Sequence, residues 1–172
     1  MHTWPSGIQR LFALRDFRIT DRNKRTIGVA VTGWLAIDAH TRRPVRVEPF
    51  LEKIHRAGSE RALMNTLEKL PAIEQYECEQ RFSVRNRDID LNQHVNSVSY
   101  IEWVIESIPP TLQNTSILTE LEINFLGEAH LGDNIISRFQ PQNKDRTVFL
   151  HGIASEGDNQ DLARASTVWE KV

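Results

Sequence analysis

A stretch of nine residues, 88–96, constrains this chain more than any other part of its sequence. It reads Asp-Ile-Asp-Leu-Asn-Gln-His-Val-Asn, follows an alternating, strand-like run and precedes a run with helical spacing. In an extended backbone, residues two apart point to the same side. We therefore expect Asp90, Asn92 and His94 to present a carboxylate, a carboxamide and an imidazole side by side.

Asn96 and Ser97 stand where the N-terminus of the following helix belongs. Asparagine is a preferred N-cap residue, and helix N-termini offer unpaired backbone N–H groups and a partial positive charge. Acyl transfer needs one group of atoms to position a water and another to hold an oxyanion. The sequence thus predicts an active site here, with the helix N-terminus at Asn96 and Ser97 holding the oxyanion.

Two other interpretations compete with an active site. Asp, Asn and His also cluster in ordinary turns, because their side chains bond nearby backbone groups, and this alternative stays open. The spacing of Asp88, Asp90 and Asn92 also opens like a calcium-binding loop, which requires Gly at its sixth position and Glu at its twelfth. Gln93 and Ser99 occupy those positions, so the calcium interpretation is excluded.

Composition excludes several classes of function. The chain of 172 residues has a formal net charge of −2 and a pI near 6.3, whereas a nucleic-acid-binding surface is strongly basic. No apolar run approaches the roughly 20 residues of a spanning helix. The single cysteine, Cys78, excludes an internal disulfide and a CxxC metal site. We expect a cytoplasmic protein without membrane span, nucleic-acid partner, metal or cofactor.

The hydrophobic pattern divides the chain into three parts. Residues 1–50 have strand-like runs at 8–19 and 26–38, and residues 51–75 are typical of a linker that contains a helix. The pattern in residues 76–172 predicts a second domain, complete in itself, in which an antiparallel sheet surrounds one helix. Its predicted elements are a strand at 79–85, a helix at 97–108, and strands near 117–126, 133–140, 146–156 and 161–170.

Six segments of the chain match one known pattern: Asp90–Asn96, Tyr100–Pro109, Leu121–Ala129, Thr3–Pro5, Arg10–Phe17 and Thr41–Arg46. Together they resemble the fatty acyl-ACP thioesterases. The resemblance implies an α+β hot-dog fold, in which an antiparallel sheet surrounds a central helix. It also implies hydrolysis of acyl-ACP thioesters to free fatty acid and holo-ACP in fatty acid biosynthesis, with acyl carrier protein as partner.

The resemblance carries the catalytic set of the family onto Asp90, Asn92, His94 and Glu128. It implies that Asn92, His94 and Glu128 hold the water that attacks the thioester carbonyl, while Asp90 orients His94 or Asn92. Which carboxylate is the general base stays open, because two acids near one imidazole titrate as a coupled set. Direct attack by a carboxylate, through an anhydride, is also open.

The chain departs from the family pattern at Ala129, where many relatives have a cysteine after the second acidic residue. Cys78 precedes His94 by 16 residues, and we expect it to be a small structural residue. Water, not a thiol, is therefore the expected nucleophile. The other histidines show no spacing typical of metal ligands, although His130 is near enough to Glu128 to line the edge of the site.

The resemblance also indicates an internal repeat. A strand–turn–strand pattern places Trp34 24 residues after Arg10, and Trp169 lies 23 residues after Arg146 in a similar pattern. The chain then corresponds to a complete C-terminal hot-dog domain and a partial N-terminal one that lacks its front portion. Apolar side chains left partly uncovered would favour homodimers or aggregation; those expected to be partly uncovered are Trp4, Phe12, Phe17 and Trp34.

Two alternative functions stay open at this point. One is an acyl-CoA thioesterase of the same fold, which needs no surface for docking a carrier protein. The other is a non-catalytic module that binds acyl chains without turnover. An intact set of Asp90, Asn92, His94 and Glu128 favours an enzyme.

Overall fold

The computed structural model describes residues 1–41, 43–47, 60–64 and 66–172, which fall into two compact units, Met1–Glu68 and Lys69–Val172. Residues 51–59 of the expected linker, and the part of its helix predicted there, lie outside the described residues. No helix in the described part of the chain is long and apolar enough to cross a membrane.

The first unit contains a three-stranded antiparallel sheet in the order β1–β2–β3. The prediction of a single strand over 8–19 is wrong, because a two-residue turn at Arg10 and Leu11 divides it. Arg10 has a φ of 55°, a left-handed conformation that Gly, Asn or Asp usually adopts. The turn therefore has no signature in the sequence. The strands are β1 His2–Gln9, β2 Phe12–Thr20 and β3 Thr26–Leu35.

Of the four apolar side chains that the repeat predicts to be partly uncovered, one is buried. Trp4 is only 6% exposed, and its Nε1–H donates to the carbonyl oxygen of Glu60 at 2.8 Å. The expectation that Trp4 is uncovered is therefore wrong. Phe12 and Phe17 are half-buried, whereas Trp34 is 62% exposed.

The second unit contains a five-stranded antiparallel sheet in the order β4–β6–β7–β8–β5, together with one ten-residue helix, α1. Every strand predicted here is found, and the predicted helix ends at Glu106, before Pro109 and Pro110. An antiparallel sheet around a central helix is the hot-dog arrangement, so the predicted α+β class is confirmed. The elements are β4 Cys78–Ser83, α1 Ser97–Glu106, α2 Pro110–Gln113, β5 Ser116–Phe125, β6 Asn134–Pro141, β7 Val148–Ser155 and β8 Asp161–Lys171.

The core of the second unit lies between α1 and the sheet. Trp103 and Val104 of the helix are in one cluster with the strand residues Ile135, Ile153 and Ala165. Fully burying an aliphatic side chain contributes about 1.5–3 kcal/mol. Alternate residues of β8 from 163 to 169 are buried, which is the two-residue period of a strand with one face on the core.

A chain of hydrogen bonds crosses this core at His151, which is 1% exposed. Trp169 Nε1–H donates to Thr167 Oγ1 at 3.1 Å, and that hydroxyl lies 2.9 Å from His151 Nε2. At the other end, the Ser107 hydroxyl donates to the Val104 carbonyl at 2.7 Å and lies 3.5 Å from His151 Nδ1. One neutral tautomer satisfies this chain, with Nδ1–H donating to Ser107 and Nε2 accepting from Thr167.

Acid is expected to destabilise the protein through His151. Burial lowers the pKa of His151 from its ordinary value of 6.5 to about 3. The unfolded chain therefore binds a proton near pH 6.5 that the folded chain excludes until about pH 3. The stability contributed by neutral His151 is present above pH 6.5 and is lost as the pH falls towards 3, with a slope of about 1.4 kcal/mol per pH unit.

Denaturant unfolding at several pH values measures this slope. His151→Gln cannot take up the proton, so its stability is expected to fall less steeply with acid than that of the parent. His40→Gln, at an exposed histidine of the first unit, should keep the parental slope. If the stability of the parent and of His151→Gln fell equally steeply with acid, His151 would not be a source of the acid destabilisation.

Candidate active site

The stretch that contains Asp90, Asn92 and His94 is a closed turn and not an extended strand. Ile89 and Val95 pair as an isolated antiparallel bridge, and Asp90 N–H donates to the His94 carbonyl at 2.8 Å. The expectation of a row of side chains on one strand face is wrong. The Asp90 carboxylate folds the turn, because its Oδ1 accepts the backbone N–H groups of Asn92 at 2.7 Å and His94 at 3.4 Å.

The turn separates the predicted residues into two pairs. Asn92 Nδ2–H donates to Asp90 Oδ2 at 3.4 Å, so Asp90 orients Asn92 and the backbone of His94. The His94 imidazole instead faces Glu128, with 3.5 Å between Nε2 and Oε2. The two side chains are 32% and 50% exposed, so both are accessible from solvent.

A backbone hydrogen bond holds His94 beside Glu128. The N–H of Val95, the residue after His94, donates to the carbonyl of Ala129, the residue after Glu128, at 2.9 Å. The Ala129 side chain is 1% exposed and belongs to the core. A side chain at position 129 therefore points into the core, while Glu128 is half-exposed beside the imidazole.

Asn96 caps α1 as the sequence predicts. Its Oδ1 accepts the Ser99 N–H at 3.1 Å, and its Nδ2–H donates to the Asp88 carbonyl at 2.8 Å. Asp88, which is 4% exposed, accepts the Ser99 hydroxyl at 3.2 Å and the Arg85 N–H at 2.8 Å. Sequence reasoning gave Asp88 no role, although an acidic residue close before a helix N-terminus is a signal for such a cap.

His130 completes the edge of the site. Its ring meets the His94 ring edge-on, with 5.1 Å between the centroids. One ligand atom from each of His94, Glu128 and His130 lies within 4.8 Å of the others. Sequence spacing does not predict this cluster, because the turn at 90–94 and the segment at 128–130 meet only in the folded sheet.

Tyr100 lies beneath the segment that carries Glu128. Its hydroxyl donates to the Gly127 carbonyl at 3.5 Å. Burial, with a smaller contribution from the negative charges of Glu128 and Asp133, raises the pKa of Tyr100 to about 12. Tyr100 is therefore a protonated donor at neutral pH, and it supports the segment from the core side.

Two family models match this sequence. The C-terminal domain of acyl-ACP thioesterases matches residues 72–171, more than half of the chain, and the N-terminal domain matches residues 1–54. The chain belongs to the acyl-ACP thioesterase family. The resemblance that the motifs indicate is thereby confirmed.

Curated relatives in this family include chloroplastic plant proteins. Oleoyl-acyl carrier protein thioesterase 1 of Arabidopsis thaliana is 26% identical over 99% of this chain and 54% of its own length. The oleoyl-acyl carrier protein thioesterase of Coriandrum sativum is 27% identical over 99% of this chain and 56% of its own length. The chain thus spans about half the length of these relatives.

Solved structures show the same fold. An acyl-ACP thioesterase from Bacteroides thetaiotaomicron superimposes with a TM-score of 0.82 at 23% identity, over 98% of this chain and 67% of the other. The 12:0-ACP thioesterase from Umbellularia californica gives a TM-score of 0.84 at 18% identity, over 99% of this chain and 66% of the other. Both likenesses support the hot-dog architecture.

Cys78 occupies a structural position at the start of β4. It is partly buried and packs against a second core cluster. The buried members of that cluster are Ile108, Phe139, Phe149 and Trp169.

Replacing Cys78 with serine is expected to preserve most activity, because the thiol packs against the core and Ala129 supplies no thiol beside Glu128. The check is the steady-state rate of thioester hydrolysis by the parent and by Cys78→Ser, each measured with and without a thiol-alkylating reagent. The parent should be inhibited weakly by the reagent. Stoichiometric inactivation of the parent that Cys78→Ser escapes would assign the thiol a role in catalysis.

Proposed function

We propose that this chain hydrolyses acyl-ACP thioesters and releases free fatty acid and holo-ACP. The observation that carries this proposal is the partly exposed His94–Glu128 pair, 3.5 Å apart, on a hot-dog scaffold of the acyl-ACP thioesterase family. A base and a hydrogen-bonding partner at this separation are within reach of one water molecule.

The proposed reaction begins with a water held between the His94 imidazole and the Glu128 carboxylate. The pair removes a proton as the water oxygen attacks the thioester carbonyl carbon, which gives a tetrahedral oxyanion. Collapse of this intermediate breaks the C–S bond. The proton returns to the departing thiolate, so the products are a carboxylic acid and the free thiol of the carrier.

Glu128 is the carboxylate we assign to the base, in partnership with His94. Its Oε2 lies 3.5 Å from the His94 ring nitrogen, whereas the Asp90 carboxylate accepts backbone N–H groups of its own turn. Asp90 is then a positioning residue for the turn. The Asn92 amide, which Asp90 orients, is proposed to hold the water or the thioester oxygen.

The N-terminus of α1 is proposed to hold the oxyanion. The first N–H groups of a helix have no intrahelical acceptor, and the helix dipole favours negative charge there. Asn96 already occupies the N–H of Ser99, which leaves those of Ser97 and Val98 in the first turn. We assign the N–H of Ser97 to the oxyanion. Asn96 then acts by fixing the first turn.

The division of residues 1–172 into domains is part of the proposal. Residues 76–172 form the catalytic hot-dog domain, residues 1–50 contribute strands of an N-terminal one, and residues 51–75 connect them. The match of the N-terminal family model to residues 1–54 supports this division. A role in fatty acid biosynthesis, a cytoplasmic location and a homodimer stay predictions; the curated relatives named above are chloroplastic.

His94→Ala and Glu128→Gln are each expected to lower kcat/KM for an acyl-ACP by about 10²–10³, the usual cost of losing one preorganised polar group in an active site. Both side chains are partly exposed, so circular dichroism and the melting temperature should stay close to those of the parent. Matched controls are His40→Ala and Glu102→Gln, at exposed positions. Near-parental rates for either site variant, with the fold intact, would remove that residue from the mechanism.

Assays of one acyl chain on ACP and on CoA test the substrate class. We expect kcat/KM to be higher for acyl-ACP by at least about tenfold, because the carrier protein adds contacts beyond the shared pantetheine arm, and about 1.4 kcal/mol of such contacts is enough. A preference for acyl-CoA would favour the alternative thioesterase. Acyl binding without turnover of either substrate would favour a non-catalytic module.

A further inference from the structure

We propose that His94, Glu128 and His130 form a binding site for Zn²⁺, and that Zn²⁺ bound there inhibits the enzyme. The three residues supply two imidazole nitrogens and one carboxylate oxygen, all within 4.8 Å of one another. Two histidines and one glutamate are a known donor set for zinc sites that keep a fourth position open for water. Binding is a property of the site by itself, whereas the inhibition rests on the proposed function.

The distances suit a tetrahedral ion. Zinc binds histidine nitrogen and carboxylate oxygen at about 2.0–2.2 Å, which places neighbouring ligand atoms roughly 3.3–3.5 Å apart. His94 Nε2 and Glu128 Oε2 already lie 3.5 Å apart. The His130 side chain is 58% exposed, so its ring can rotate towards them without disturbing the core.

The backbone holds both halves of the site before any ion binds. The hydrogen bond from Val95 N–H to the Ala129 carbonyl, at 2.9 Å, joins the two segments beside the three ligands. His130 begins a tight turn, in which its N–H donates to Asp133 Oδ2 at 2.8 Å. Bringing the three ligand atoms around one zinc ion therefore requires only rotation of their side chains.

A carboxylate also stands behind His130. Asp133 Oδ2 lies 3.9 Å from His130 Nδ1. Histidine ligands of metals commonly turn their second ring nitrogen towards a carboxylate, which orients the ring and strengthens the bond to the metal. This arrangement leaves Nε2 of His130 as the atom directed to zinc.

Inhibition follows from the identity of the ligands. Zinc would occupy the His94 nitrogen lone pair and the Glu128 carboxylate, which the proposed reaction uses to take a proton from water. Mg²⁺ prefers oxygen ligands in near-octahedral geometry and is not expected to bind this set.

The test uses the full chain, freed of metal by a chelator, and compares the parent with His130→Gln, His40→Gln and Cys78→Ser. Equilibrium dialysis with ZnCl₂ should give one tight zinc per parent chain, and His130→Gln should bind at least about tenfold more weakly. His40→Gln and Cys78→Ser control for other histidines and for the thiol, and both should bind as the parent does.

Hydrolysis of an acyl-ACP, measured with increasing ZnCl₂, gives the second readout. We expect micromolar zinc to inhibit the parent and MgCl₂ to have no effect. His130→Gln, compared with its own metal-free rate, should need at least about tenfold more zinc for the same fractional inhibition. Unchanged zinc binding in His130→Gln would overturn the site, and zinc-dependent acceleration would overturn the inhibition. If no variant hydrolyses any thioester, the proposed function and the inhibition fail together, and dialysis alone decides the metal site.

Discussion

The hydrogen bonds that cap the N-terminus of α1 fix both the position of the helix in the core and the position of the turn in the candidate site. Asn96 closes the first turn of the helix through Ser99 and holds the Asp88 carbonyl with its amide group. Buried Asp88 accepts the Ser99 hydroxyl in return. An N-cap of this kind is worth about 1 kcal/mol, and here it also fixes the direction in which the chain enters the helix. The turn that carries His94 lies between these two anchors and is therefore held at both ends.

Two segments that are distant in sequence form the candidate site. A turn closed by Asp90 presents His94, and the segment after β5 presents Glu128. The hydrogen bond from Val95 to Ala129 joins them as neighbouring strands are joined, and Ala129 is buried in the core beneath. The sheet and the helix thus hold the two connecting segments that carry His94 and Glu128. Binding and catalytic residues commonly lie on loops that a rigid scaffold positions in this way.

The sequence predicts most of the second unit because its signals are local. Helical spacing and the two prolines bound α1, and alternation places the strands of the sheet. The prediction of an extended strand at 90–94 is wrong, because the Asp90 carboxylate accepts backbone N–H groups that a strand would use for pairing. The turn at Arg10 is missed for a different reason, because a residue with no turn preference adopts a φ of 55° there. The meeting of His130 with His94 depends on tertiary packing, and no local pattern encodes it.

Two histidines of this unit show how burial assigns a residue to structure or to chemistry. His151 is surrounded by the core, and its two ring nitrogens are matched to Thr167 and Ser107, so a proton has no favourable place to bind. Burial lowers the pKa of His151 to about 3, so its ring is uncharged at neutral pH and has a structural role. The His94 side chain is about one-third exposed and lies opposite the Glu128 carboxylate, where water can reach it. The reaction proposed above needs a histidine that water and a thioester can reach, and the fold exposes His94 in this way because the core ends at Ala129.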